Sequence, residues 1–267
     1  MQAVSEQLNF VKVPVIITLV FWVIKILATT VGETGADFLI FNLNIGLSTT
    51  SMIMGGLLLV VLYFQVSAKK YIPWLYWLSV VMVSIVGTLM TDYLTDELDV
   101  PLTLSTTGFT IALLISFGCW YKVERTLSIH SIFTFRRELF YWAAILLTFA
   151  LGTAAGDLLS ESVGLGYVVS GLIFAGLIGV ITAGFYLFNI NGVLAFWLAY
   201  ILTRPLGASI GDYLSQLPMD GGLGLGLGTV STSAVFVVTI IALVIYLTRS
   251  QIDVLPINNS QSEIRGN

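Results

Sequence analysis

Eight apolar stretches divide the chain, near 13–40, 46–66, 73–94, 103–121, 138–160, 166–188, 192–215 and 229–248. A helix needs about 20 residues to cross a bilayer, so each stretch predicts one crossing. The connections are mostly short, as between antiparallel neighbours. Asn191-Gly192 marks a turn, and Pro73 and Pro101 stand near helix starts. The pattern predicts an all-α membrane protein with eight transmembrane helices. Residues 1–12 form a cytoplasmic N-terminus, 13–248 a single transmembrane domain, and the polar segment 249–267 a disordered tail.

The same pattern repeats. FWVIKILATTVGETGADFL, YWLSVVMVSIVGTLMTDYL, YWAAILLTFALGTAAGDLL and FWLAYILTRPLGASIGDYL align without a gap. Each carries Trp (Trp22, Trp77, Trp142, Trp197), then Gly ten residues on (Gly32, Gly87, Gly152, Gly207), then Asp fifteen on (Asp37, Asp92, Asp157, Asp212). The tryptophans are spaced by 55, 65 and 55 residues, giving two halves offset by 120. Four two-helix units follow, at about 13–66, 73–121, 138–188 and 192–248. With two crossings each, all enter the membrane the same way up, which predicts pseudo-symmetry about the membrane normal.

Residues four apart share a helix face. One such stripe runs through Lys25, Thr29, Glu33 and Asp37, and its counterparts are Val80, Ser84, Thr88 and Asp92; Ile145, Phe149, Thr153 and Asp157; and Tyr200, Arg204, Ala208 and Asp212. Polar groups in a bilayer face protein or a cavity, so the stripes are expected to point inwards, with even helices or apolar faces towards lipid. Four Asp at one depth would form an acidic ring that attracts cations, and crowded carboxylates suit proton exchange. Lys25 and Arg204 lie too deep to snorkel and could pair with Glu33 or an Asp. Each motif also has a plainer reading. The Asp could end helices in the outer interface, the Gly could let helices approach, and the Trp could anchor or pack.

These repeats resemble a known family of bacterial membrane proteins, built from four tandem repeats that each hold two transmembrane regions and a tryptophan. The resemblance covers about residues 13–248 and implies a bacterial membrane protein; the family's repeat is itself of unknown function.

Charge adds an orientation. Nine Lys and Arg lie outside the spans, at 12, 69, 70, 122, 125, 136, 137, 249 and 265, and all nine fall on one side. Asp96, Glu97, Asp99, Glu161 and Asp220 fall on the other. The positive-inside rule then places both termini in the cytoplasm, and the family resemblance implies that the membrane is a bacterial inner membrane. A composition 57% hydrophobic and 10% charged fits lipid as solvent. One cysteine and one histidine, Cys119 and His130, argue against a disulfide, a multi-His metal site or a catalytic triad, and so against an enzyme. The glycine run from Gly221 to Gly228 lacks the GK[ST] of a phosphate loop and reads as an outer hairpin or a packed helix start. No cofactor and no nucleic acid are expected. The partners are the bilayer and a small ion or molecule, with oligomeric state open.

The leading expectation is therefore a transporter or permease for a cation, with a divalent metal such as manganese as one candidate and proton coupling as one mechanism. Its pathway would use Asp37, Asp92, Asp157, Asp212, Glu33, Lys25, Arg204, Thr29, Ser84, Thr88 and Thr153. Lys25 and Arg204 are the argument for an anion instead. The alternative is a structural or regulatory membrane protein whose buried charges only join helices.

Overall fold

A computed structural model describes residues 11–217 and 224–254. Eight helices are long and apolar enough to cross a membrane: α1 (Leu19–Asp37), α2 (Leu47–Ser67), α3 (Pro73–Asp92), α4 (Leu102–Glu124), α5 (Phe135–Asp157), α6 (Gly166–Phe188), α7 (Gly192–Ser215) and α8 (Thr229–Ser250). The described residues hold no strand. The chain is an all-helical, multi-pass membrane protein of four tandem two-helix repeats.

The odd helices form a closed inner ring in which α1 packs on α3, α3 on α5, α5 on α7, and α7 on α1. The even helices lie outside. The most apolar window of each odd helix is 56–78% buried, against 17–22% in the even ones, so the even helices face lipid. Each even helix packs mainly on the odd helix of the next unit: α2 on α3, α4 on α5, α6 on α7, and α8 back on α1. The repeat in sequence is thus offset from the packing unit in space, and the last helix closes the ring on the first.

The first three inner helices do not stop at their Asp. Each continues through a five-residue π-helical turn, Phe38–Asn42, Tyr93–Glu97 and Leu158–Ser162, which begins at the residue after Asp37, Asp92 or Asp157. The helix α7 ends differently. The backbone N–H groups of Leu225, Gly226, Leu227 and Gly228 bond back to the carbonyls of Tyr213, Gln216, Leu214 and Ser215. This satisfies carbonyls that a helix end leaves without partners. Part of the glycine run, 221–223, lies outside the described residues, as do 1–10 and 255–267.

Both chain ends depart from the sequence expectation. The first apolar stretch is not helical from 13; α1 starts at Leu19, where the Thr18 hydroxyl caps the Phe21 N–H at 3.3 Å. Pro14 pushes Val13 out of the helical region, and the β-branched Val15, Ile16 and Ile17 favour extended backbone. The tail expected from 249 is ordered further: α8 runs to Ser250, and Asp253 accepts bonds from the Val15 and Ile16 N–H groups at 3.0 and 3.1 Å.

Candidate functional site

The repeated aromatic-Trp pair forms a collar at the helix starts, the end of the ring away from the Asp. Phe21 meets Trp77, Tyr76 meets Trp142, Tyr141 meets Trp197, and Phe196 meets Trp22, at centroid distances of 5.3, 5.7, 6.2 and 5.7 Å. The aromatic residue before each Trp contacts the Trp of the next unit, and the cycle closes. Trp77, Trp142 and Trp197 are buried and Trp22 partly so, which makes them packing groups inside the bundle. The Tyr76 and Tyr141 hydroxyls lie 2.6 Å apart and share a hydrogen bond.

The repeated Gly follows the same cycle. A Cβ on Gly87 would stand 2.6 Å from the Phe149 Cβ; on Gly32, Gly152 and Gly207 it would overlap Ser84, Arg204 and Thr29. Each glycine therefore admits the stripe residue of the neighbouring inner helix. Threonines bond across the same contacts: Thr30 Oγ1 donates to Gly207 O at 3.0 Å, and Thr91 Oγ1 to Ala150 O at 3.0 Å.

At mid-bundle, Arg204 is fully buried and joins all four inner helices. Its Nη2 donates to Glu33 Oε2 at 2.8 Å, to Thr153 Oγ1 at 2.7 Å and to Thr88 Oγ1, while Nη1 donates to Thr29 O at 3.0 Å. Thr88 Oγ1 also donates to Glu33 Oε2 at 3.3 Å. One guanidinium from α7 thus crosses the ring axis to α1, α3 and α5. The next residue, Pro205, removes a helix hydrogen bond there and packs within 3.7 Å of the position a Gly156 Cβ would take.

One turn below lies Lys25, also fully buried. Its Nζ has no hydrogen-bond partner among the described residues and sits over the rings of Phe149 and Tyr200, 4.1 and 4.3 Å from their centroids. Arg204 is the cation that pairs with Glu33; Lys25 pairs with no carboxylate among the described residues. Ser84 is buried against Gly32, and its hydroxyl has no partner among the described residues.

Above Arg204 a vestibule of about 410 Å³ opens at the Asp end. All four repeated Asp line it, together with Glu33, Asp96, Glu97 and Glu161. Asp37 accepts a bond from Gln216 Nε2 at 3.2 Å. Carboxylate oxygens of Glu33, Asp157 and Asp212 lie within 4.8 Å of one another. Such an all-oxygen set suits a hard cation such as Mn²⁺, Mg²⁺ or Ca²⁺. Asp212 is 95% buried, and no hydrogen bond or ion pair joins its carboxylate to a described residue, while its backbone carbonyl accepts the Gln216 N–H at 2.8 Å.

Asp96, Glu161 and Gln216 are not among the residues expected to line the pathway, and the first two read in the sequence only as loop charge. The signal was present. Adding one more turn to the last three stripes leads from Asp92 to Asp96, from Asp157 to Glu161, and from Asp212 to Gln216; π-turns carry Asp96 and Glu161 on the vestibule wall, and Gln216 caps α7 there. Thr29, Thr88 and Thr153 sit in the Arg204 network, whereas Ser84 lies at a helix contact.

No curated protein and no solved structure matches this chain. A family model described as Repeat of Unknown Function (DUF347) matches four times, over residues 20–71, 75–126, 140–191 and 195–253. These matches coincide with the four units whose aromatic, Gly and Asp positions build the ring, and the chain belongs to that family.

Proposed function

We propose that the protein is a membrane transporter for a cation, with a divalent metal such as manganese among the cargoes its oxygen ligands suit. It works without enzymatic chemistry, in a bacterial inner membrane, with both termini in the cytoplasm. The observation that carries this reading is the double role of Glu33. It is the counter-ion of Arg204, and it is also one of three carboxylates close enough to share an ion.

A buried charge needs a partner, and breaking such a pair costs about 3–5 kcal/mol. Arg204 supplies the positive charge opposite Glu33, and by its four bonds it latches the inner helices together. A metal ion entering from the vestibule would be held by Asp157, Asp212 and Glu33. It would compete with the guanidinium for Glu33 and so loosen the latch. The crowded vestibule carboxylates can take up protons when the metal leaves, which provides a means of proton coupling. Cys119 is exposed on α4 and His130 lies in the 3-10 turn Ile129–Ser131; neither lines the vestibule.

A second reading is favoured by the four bonds that tie Arg204 to α1, α3 and α5: the pair is a static strut in a structural or regulatory protein. Calorimetric titration of the purified protein with Mn²⁺, Mg²⁺, Na⁺ and K⁺ separates the two. The transport reading expects saturable binding of at least one cation, lost when Asp37, Asp92, Asp157 and Asp212 all become Asn in a protein that stays monodisperse. Folded wild type that binds none of them supports the strut.

A further inference from the structure

We infer that residues 11–18 form a gate at the end of the bundle opposite the vestibule: a strap that closes that end and must unclasp before it can open. The inference rests on the transport reading for its purpose, and on separate contacts for its geometry.

The strap is clasped at both ends by polar groups. Lys12 Nζ donates to Glu138 Oε2 at 2.9 Å and to Val66 O at 2.6 Å. Gln65 Nε2 donates to Lys12 O at 3.1 Å and to Glu138 Oε1 at 3.3 Å. The Lys12 N–H reaches Ile132 O at 3.2 Å. At the other end Asp253 takes the Val15 and Ile16 N–H groups on its carbonyl, while its Oδ2 accepts from the Tyr71 hydroxyl at 2.7 Å. Val13 between the clasps and Val11 just before the first are buried in the core. The strap thereby ties together the end of α2, the loops before α3 and α5, the start of α5, and the segment after α8.

Three features suit a releasable closure better than a fixed strut. Glu138 stands in the first turn of α5, at the membrane edge, yet it is fully buried. Lifting the strap would exchange this ion pair and its hydrogen bonds for water that solvates both charges, so the cost of parting them is offset once that end is open. The strap is also extended rather than helical, so it can lift without unwinding α1. Finally, it departs from the fourfold pattern among the described residues: α3, α5 and α7 each follow an outer helix and a loop, whereas α1 follows this strap. Above it the inner helices are joined by the Tyr76–Tyr141 bond and by Lys25 between its two rings, so among the described residues the strap lies outside these contacts on its side.

The test uses full-length protein with Cys119→Ala and a reporter thiol introduced by Val80→Cys, a fully buried stripe position one turn below Ser84. A membrane-impermeant methanethiosulfonate is applied to sealed vesicles from either face. With the strap intact, labelling is slow from both faces. Adding Lys12→Ala is expected to speed it about tenfold, only from the face carrying the termini, as local opening loses a buried polar clasp. A second variant, Lys12→Cys with Glu138→Cys bridged by a bifunctional thiol reagent, is expected to abolish cation flux in a Cys119→Ala background, with recovery on reduction. Faster labelling without flux of any cation would uphold the gate and remove the cargo reading. Unchanged labelling in folded Lys12→Ala protein, or full flux in the bridged protein, overturns the gate.

Discussion

At the scale of single residues, Arg204 and Glu33 are two halves of one device, and their substitutions should differ in kind. Replacing Arg204 by Met leaves Glu33 buried, 7% exposed, without its guanidinium. Stability should fall by about 3–5 kcal/mol, as expected when a buried pair loses one member. Cation affinity should move the other way and rise at least about tenfold, because a tethered competitor worth more than 1.4 kcal/mol has gone. Replacing Glu33 by Gln should weaken both stability and binding. Denaturation curves and cation titrations on the same samples check the pair. A strut predicts the stability losses with no change in affinity for Arg204→Met. Glu33 and Arg204 could be singled out in the sequence because ionisable residues are rare inside a membrane. Their pairing was open, because Lys25 stood on the same stripe one turn from Arg204's layer. What decides it is the ring geometry: the Lys25 layer packs against Phe149 and Tyr200, and only the guanidinium reaches the carboxylate.

Among the elements, the inner helices depend on close approach at the repeated glycines. Gly87 and Gly35 make a matched pair for testing this. A Cβ on Gly87 would lie 2.6 Å from the Phe149 Cβ and 3.1 Å from the Ala150 nitrogen; on Gly35 the nearest atom is 3.8 Å away. Gly87→Ala should therefore destabilise the protein by about 1–3 kcal/mol through overpacking. Gly35→Ala should be neutral or stabilising by up to about 1 kcal/mol, the helix-propensity gain. Thermal unfolding of both variants in detergent measures the difference, and equal behaviour would contradict the packing scheme. The helices themselves were legible from apolar length, and the glycines from their spacing. The π-turns were not. They follow an ordinary apolar segment, and what distinguishes them is the vestibule wall they complete. The strap was misread for a related reason. Its residues are as apolar as a span, and hydropathy does not separate apolar surface facing lipid from apolar surface buried beneath a bundle.

For the molecule as a whole, the offset between sequence repeat and packing unit explains how four short units make one closed body. Each even helix serves the inner helix of the next unit, and α8 serves α1, so the ring closes within a single chain. Sequence periodicity foretold parallel units and inward stripes. The partner of each outer helix was not legible, since a lipid-facing helix with one apolar surface fits either neighbour. The ring has a wet, acidic end and a dry, aromatic end, with Arg204 between them and a strap beneath. A body open at one end and latched at the other is the arrangement an alternating carrier needs. The measurement that tests this most directly is Mn²⁺ uptake into proteoliposomes by wild type and by the variant carrying Asn at positions 37, 92, 157 and 212, both verified as folded. Saturable uptake above protein-free liposomes is expected for wild type, and background uptake for the variant. Wild type at background for Mn²⁺ and for every other cation tried, or a variant that transports as well as wild type, would contradict the transport reading.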